Sequence, residues 1–473
     1  MASRLRAETL MMLGKLHLRR MKYAKALECY RNVTQLQPQN ATAFAKLGYC
    51  LAALGCHRDA LDAYECALQI RPDFTAVYAH FSMALERLGD TQSAAEYMER
   101  ALRSSVYLKD STAAAYWHHQ LGVMYCKLGD WEGSVIQLRS AAEGNPNETV
   151  LCNLGGALWH TGDKDGCVVA YKRATDIDSK SVEGHYGQGW AFYNLKRYAE
   201  AVAPLCRAIE LNPKHADAQY HLGLVLLETG KLEEASRTLK QAAKLRPEHA
   251  ETHYALGATF AAQNRFADAL DSYLTVVRLR PDYAEAHFNI GVAYSELGQP
   301  EEEIEAYKTA LSFNEMDITT WGNLALAYSG QHMYSGALRA YGKLCELQPD
   351  NEMGFYGVAS SLTYLERRDE AVQNFQEAIR IDPSFVAAHE YLGWTYAGMG
   401  RFSEALDCYG SAMSLAPNSA QLHSELSEIY EEMGNAEVAQ QLRSKADDLR
   451  GNAVDPAVPN PKKPINKHAP PHG

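Results

Sequence analysis

ADAQYHLGLVLLETGKLEEASRTLKQAAKLRP, residues 216–247, is followed after two residues by AETHYALGATFAAQNRFADALDSYLTVVRLRP, residues 250–281. Laid over each other without gaps, the segments align Leu222-Gly223 with Leu256-Gly257 and Pro247 with Pro281, 34 residues apart. The beat extends both ways. Prolines recur at Pro38 and Pro72, at Pro213, and at Pro349, Pro383 and Pro417; Leu-Gly pairs recur at Leu13-Gly14, Leu47-Gly48 and Leu392-Gly393. A fixed period of this length marks a stack of helical repeats, each burying its apolar face against its neighbours.

With the proline as position 32, thirteen repeats start at Ala7, Ala41, Thr75, Ala115, Glu148, Val182, Ala216, Ala250, Ala284, Ile318, Glu352, Val386 and Ala420. Each holds two helical stretches, A and B, with apolar residues at i, i+3, i+4 and i+7. A short break carrying Gly, Asp or Asn separates them, as in Leu128-Gly129-Asp130. Position 8 is Gly or another small residue, which allows close packing. Position 20 is equally small, bulky groups at 11 and 24 fill the space between helices, and the proline stops helix B.

These residues match W-x2-L-G-x2-Y, then A-x3-F, then P, in thirteen registers. Over residues 7 to about 450 the chain therefore resembles the tetratricopeptide repeat family. The resemblance implies an all-α fold: a right-handed superhelical solenoid of about thirteen helix-turn-helix repeats, with helix A lining the inner face through positions 2, 5, 9, 12 and 13.

Departures from the pattern divide the chain. The spacing stretches between the third and fourth repeats, through Arg103 to Asp110, and a bend or hinge is expected there. The expected organisation is an N-terminal array over 7–108, a connection over 109–114, a long array over 115–450 and a disordered Pro-rich tail over 451–473 carrying Lys462-Lys463. Glu303 occupies the tight position 20 of the ninth repeat, where a local register adjustment is expected ahead of a functional acid. Pro204 falls inside a helix B and is expected to kink it.

Composition narrows the function. The net charge of −12 argues against nucleic-acid binding or anionic membranes. The basic cluster from Arg4 to Arg31 reads as a solvated helix face. No run reaches the roughly 18 apolar residues of a membrane span, and the N-terminus lacks a secretory pattern. Ten cysteines stand singly without a C-x-x-C pair, as reduced thiols do in a cytoplasmic compartment. No phosphate loop, G-x-S-x-G elbow or H-E-x-x-H helix occurs, so no enzyme, metal or cofactor is expected. Six histidines stand at position 4: His118, His185, His253, His287, His389 and His423. Successive repeats lie too far apart for these to share an ion, and they read as substitutes for the usual packing aromatic.

On the inner face implied by the resemblance, position 5 of repeats six to nine is Tyr186, Tyr220, Tyr254 and Phe288. Position 2 is Glu183, Asp217, Glu251 and Glu285; the sixth repeat adds Trp190 and Tyr193, and the fifth adds Trp159. One reading makes the rings ordinary packing and the acids ordinary helix-start residues. The other makes them a groove for an extended protein segment with apolar and basic side chains. Position 5 is never Lys, so the clamp by which some family members hold acidic C-terminal tails is not supported. The superhelix of O-linked N-acetylglucosaminyltransferases has an Asn ladder at position 6, which survives here only as Asn153, Asn289 and Asn323. The reading is a non-catalytic protein-interaction scaffold. Its alternatives are a subunit binding through outer or end surfaces, as in ciliary-transport or ubiquitin-ligase assemblies, and a regulatory subunit of a separate enzyme.

Overall fold

A computed structural model describes residues 2–105 and 111–452. The described residues form twenty-six α-helices and no strand, two helices to a repeat, and within each unit described below the A and B helices of a repeat pack on each other. The chain divides into two compact units, residues 1–225 and 226–473, with the boundary inside helix A of the seventh repeat (Ala216–Glu228).

Helix A begins on the residue the sequence beat marks in every repeat except the first and fourth. The first begins at Ala2 rather than Ala7 and the fourth at Ser111 rather than Ala115. The residues added to the fourth, such as Ala113 and Ala114, propagate a helix well. The stretched segment lies partly outside the described residues, at 106–110. On either side of it the third and fourth repeats share a core that includes Met98, Ala101, Leu121 and Met124. Tyr125 Oη donates to Glu99 Oε1 at 2.5 Å across the same junction. The expected tail lies outside the described residues beyond Asn452.

Each A helix ends on a left-handed residue at position 15. Eight are glycine, which reaches positive φ without steric cost; the other five are Met21, Lys196, Asn264, His332 and Glu366, with φ of 54–59°. At Lys196 the ending is a Schellman turn: the next amide, Arg197 N–H, reaches back to Phe192 O at 2.9 Å. Helix B ends ahead of its proline. Arg280, before Pro281, is held at φ −137°, ψ 89°, outside the helical region. Pro204 sits within one continuous helix, Tyr198–Leu211.

The small residue at position 8 seats the ring at position 24 of the same repeat. A Cβ on Gly257 would lie 2.7 Å from the Tyr273 ring, and one on Gly291 2.5 Å from the Tyr307 ring. Both tyrosines are fully buried. Glu303 corrects the sequence expectation. Its helix, Pro300–Phe313, starts 34 residues after Phe266 and 34 before Tyr334, so the register is unchanged. The carboxyl instead fits, half-buried, into a cavity of about 310 Å³ beside Ser295, Gln299 and Asn323. Burial raises its pKa, opposed by a hydrogen bond from Ser295.

Position 4 has a more specific role than packing. Tyr78 Oη donates to Pro72 O at 2.8 Å, and Trp321 Nε1 donates to Glu315 O at 2.8 Å. With the proton on Nε2, His253 donates to Pro247 O and His287 to Pro281 O, both at 2.9 Å, and His389 to Pro383 O at 3.1 Å. His185 reaches Ser179 O in the same way at 3.2 Å. In every case the acceptor is the carbonyl six residues back, at the end of the preceding repeat, which no helix satisfies. His118 and His423 depart from this, turning to Gln137 at 2.7 Å and Ser419 O at 2.9 Å.

Candidate functional site: an aromatic and acidic recess in repeats four to six

Within residues 1–225, the A helices of the fifth repeat (Glu148–His160) and the sixth (Val182–Asn194) flank a recess of about 530 Å³. Its lining includes Trp131, Glu148, Cys152, Asn153, Tyr171, Glu183, Tyr186 and Trp190. Two glycines open it. Gly156, at position 9, has only Tyr171 Oη near a built Cβ, at 3.7 Å; at Gly187, position 6, a Cβ would collide with the Tyr171 ring at 2.2 Å. Tyr171 thus lies against backbone where most side chains would exclude it.

The rings are held from behind. Trp190 meets Trp159 edge-on at 4.7 Å, and Trp131 stacks on His160 at 3.9 Å. Lys164 Nζ lies 3.6 Å from the Trp159 ring centre and donates to Trp159 O at 2.7 Å. Tyr186 is half-buried against His215 and His221, with ring centres at 4.7 and 5.6 Å. Tyr193 packs on Tyr198 and His221, and half-buried Tyr220 lies edge-on to His221. His221 Nδ1 lies 2.8 Å from the Asp217 carbonyl.

Glu183 is exposed, with His215 Nε2 at 3.8 Å. Glu148 Oε1 accepts from Ser181 Oγ at 2.6 Å and from the Cys152 thiol at 3.6 Å. Burial, then Glu148, pushes the Cys152 thiol up to about 12, leaving it protonated and a poor nucleophile. Asn153 lies 2.9 Å from His119 Nε2, whose pKa burial lowers. The recess therefore offers aromatic surface and two carboxylates. Among the described residues no group of three His, Cys, Asp or Glu is placed to hold a metal, and no helix is long and apolar enough to cross a membrane.

Residues 226–473 treat the same positions differently. Tyr254 and Phe288 are each only 4% exposed. Tyr254 packs against Tyr273 and Tyr283, with its oxygen accepting from Asn289 Nδ2 at 2.9 Å; Phe288 packs on Tyr307. The family resemblance implies both rings on the groove, with ordinary packing as the competing reading; in the structure both belong to the core. Glu251 is bound to Arg280 at 2.7 Å and lies 3.4 Å from His249, while Glu285 is exposed. Sequence reading missed Trp131, Glu148 and the two glycines. The signal was present in the glycines, which depart from the repeat consensus at positions with no need for a small residue.

Profiles of the family described as "TPR repeat" match residues 189–230, 223–264 and 259–298. Those described as "Tetratricopeptide repeat" match 11–73, 75–105, 149–181, 284–315, 355–385 and 386–419. The chain belongs to the tetratricopeptide repeat family. It is 29% identical over 103 residues to the small glutamine-rich tetratricopeptide repeat-containing protein 2 of Mycosarcoma maydis, an overlap of 22% of this chain and 29% of the relative. It is 36% identical over 72 residues to the tetratricopeptide repeat and J domain-containing co-chaperone DNJ1 of Cryptococcus neoformans var. grubii, covering 15% and 14% of the two chains. The chain thus spans less than a third of either relative. Among solved structures it is similar to YrrB, titled a TPR protein with an unusual peptide-binding site, at 22% identity, 39% and 95% coverage and a TM-score of 0.36. It is also similar to a chain of the APC/C hetero-tetramer Cut9–Hcn1, at 15% identity, 95% and 94% coverage and a TM-score of 0.37.

Proposed function

We propose that this tetratricopeptide repeat chain is a non-catalytic scaffold that holds an extended protein segment against its A helices, with the recess of repeats four to six as its main contact. The observation that carries the reading is the recess itself: about 530 Å³, walled by Trp131, Tyr186 and Trp190 and edged by Glu148 and Glu183. Preformed aromatic surface gives contact area at little entropic cost, and the carboxylates favour a partner with Lys or Arg beside its apolar side chains. Ten cysteines standing singly in the sequence fit a reducing, cytoplasmic setting.

The test is direct. Peptides selected on the whole protein from a random library of extended sequences are measured against Trp190→Ala and Tyr186→Ala. Affinity is expected to fall at least about tenfold, the scale of one aromatic anchor, with helicity kept. Unchanged affinity in both variants refutes the recess as the contact.

A further inference from the structure

A second recess, sharing no residue with the first, lies within residues 226–473. Three successive A helices (Glu352–Tyr364, Val386–Gly398 and Ala420–Glu432) enclose about 130 Å³ lined by Tyr364, Glu390, Tyr391, Trp394, Gln421 and Glu425. Its walls are aromatic and face solvent: Tyr364 and Trp394 are each 47% exposed, with ring centres 6.1 Å apart. Both are braced. Tyr334 stacks flat on Tyr364 at 4.3 Å, and Tyr391 lies edge-on to Trp394 at 6.2 Å. Exposed Gln421 bridges the two acids, its Nε2 donating to Glu390 Oε1 and Glu425 Oε1, both at 2.8 Å, and Tyr409 Oη donates to Glu425 Oε2 at 3.2 Å. Among the described residues, no Lys, Arg or His forms an ion pair with either carboxylate.

Two carboxylates this close, without a cation, cannot both ionise cheaply. Burial, then the charge of Glu425, pushes Glu390 up to about 8, so the pair holds a proton at neutral pH. The other titratable groups facing it are Tyr356, Tyr364, Tyr391 and Tyr409, with Glu428 beyond Tyr409; burial raises Tyr356, Tyr391 and Tyr409, which stay neutral. An incoming organic cation would take the proton's place, gain charge-assisted hydrogen bonds and lie against the Trp394 and Tyr364 faces. The volume is well below the roughly 300–1,000 Å³ of small-molecule sites, which suits the end of one side chain. Gln421 turns its NH₂ toward the carboxylates, an arrangement that repels a metal ion and leaves acceptors for N–H donors.

We propose that this recess binds the cationic end of a lysine or arginine side chain carried on an extended protein segment. The proposal rests on the scaffold reading for the ligand being a peptide, and its residues are separate from the recess of repeats four to six. They occupy positions 2, 5, 9 and 13, four of the five inner-face positions that the resemblance implies, together with position 6, in repeats eleven to thirteen.

The test uses the full chain at pH 7.5 and fluorescein-labelled nine-residue peptides of Leu, Gly and Ser with a central Lys, Arg, norleucine or Glu. Lys and Arg are expected to bind about tenfold tighter than norleucine, equivalent to about 1.4 kcal/mol. Calorimetry in two buffers of different ionisation enthalpy should show release of close to one proton per cationic peptide. The preference should vanish in the Glu390→Gln/Glu425→Gln double variant and weaken in Trp394→Ala. Both should fold, since the first relieves like-charge repulsion and the second alters an exposed ring; circular dichroism checks this. Trp190→Ala should leave the preference intact. No preference in the wild type, absence of binding included, or an undiminished preference in the double variant, overturns the site. A preference that persists while Trp190→Ala has no effect on affinity supports this site and refutes the other.

Discussion

Tyr186 and Phe288 hold the same place in their repeats, position 5 of helix A, yet one edges a recess and the other is core. The difference lies in small neighbours. Beside Tyr186, position 9 of the preceding repeat is Gly156 and position 6 of its own is Gly187. For Phe288 the corresponding residues are Ala258 and Asn289, and Asn289 is bound to Tyr254. A repeat position therefore fixes where a side chain starts, while the glycines around it decide whether its ring is lining or filling.

The largest expected effect tests that contrast in stability. Phe288→Ala should destabilise the 226–473 unit by about 3–5 kcal/mol, the range for emptying a buried aromatic site, read as a shift in the urea midpoint. Tyr186→Ala should cost about 1 kcal/mol or less, as for a partly exposed side chain. Equal losses would break the comparison.

The glycines sharpen it next. Gly187→Ala drives a methyl into Tyr171 and should cost about 1–3 kcal/mol. Gly156→Ala meets nothing closer than 3.7 Å and should stabilise by about 0.5–1 kcal/mol through helix propensity, while narrowing the recess and weakening peptide binding.

Next in size is a pH effect on residues 226–473. Glu390 is raised from the ordinary 4.5 to about 8, so the folded chain holds a proton that the unfolded chain releases. The sign follows: stability falls as pH rises from about 4.5 to about 8 and is level beyond. Glu390→Gln should remove part of that fall, raising the melting temperature by about 2–4 °C at pH 9 relative to wild type, with little difference at pH 4. The smallest effect concerns the left-handed helix ends. Lys196→Gly and Glu366→Gly should each stabilise by about 0.5–1 kcal/mol, since a side chain is strained at φ 57–59°; thermal melts would read it.

The fold was legible because its determinants are local and repeated. A proline, a small residue and a bulky ring at fixed offsets specify a helix pair whatever surrounds it, so the starts at Ala250 and Ala284 could be read directly. The fourth start was misplaced because Ala113 and Ala114, just ahead of the expected start, are good helix formers. Glu303 was misjudged because position 20 was treated as closed, whereas the cavity beside Ser295 and Asn323 is made by residues of the next repeat. The site was half legible for the same reason. Chemistry at one position can be read along the chain, but whether Tyr254 is open or covered depends on Tyr273, Tyr283 and Asn289, each on another helix. The acid pair Glu390 and Glu425 lies 35 residues apart in the sequence, and its closeness only appears once two A helices are side by side.

The position-4 hydrogen bond has a consequence for how such a chain can lengthen. Donor and acceptor are six residues apart, as in Pro247 and His253, so the whole latch between two repeats is written in seven consecutive residues. Tyr, His and Trp are interchangeable there because each carries a hydrogen at the ring edge; Phe is not equivalent. A segment copied or excised with its ends outside that window keeps each remaining latch closed, so whole units can be gained or lost without any distant residue changing to accommodate them.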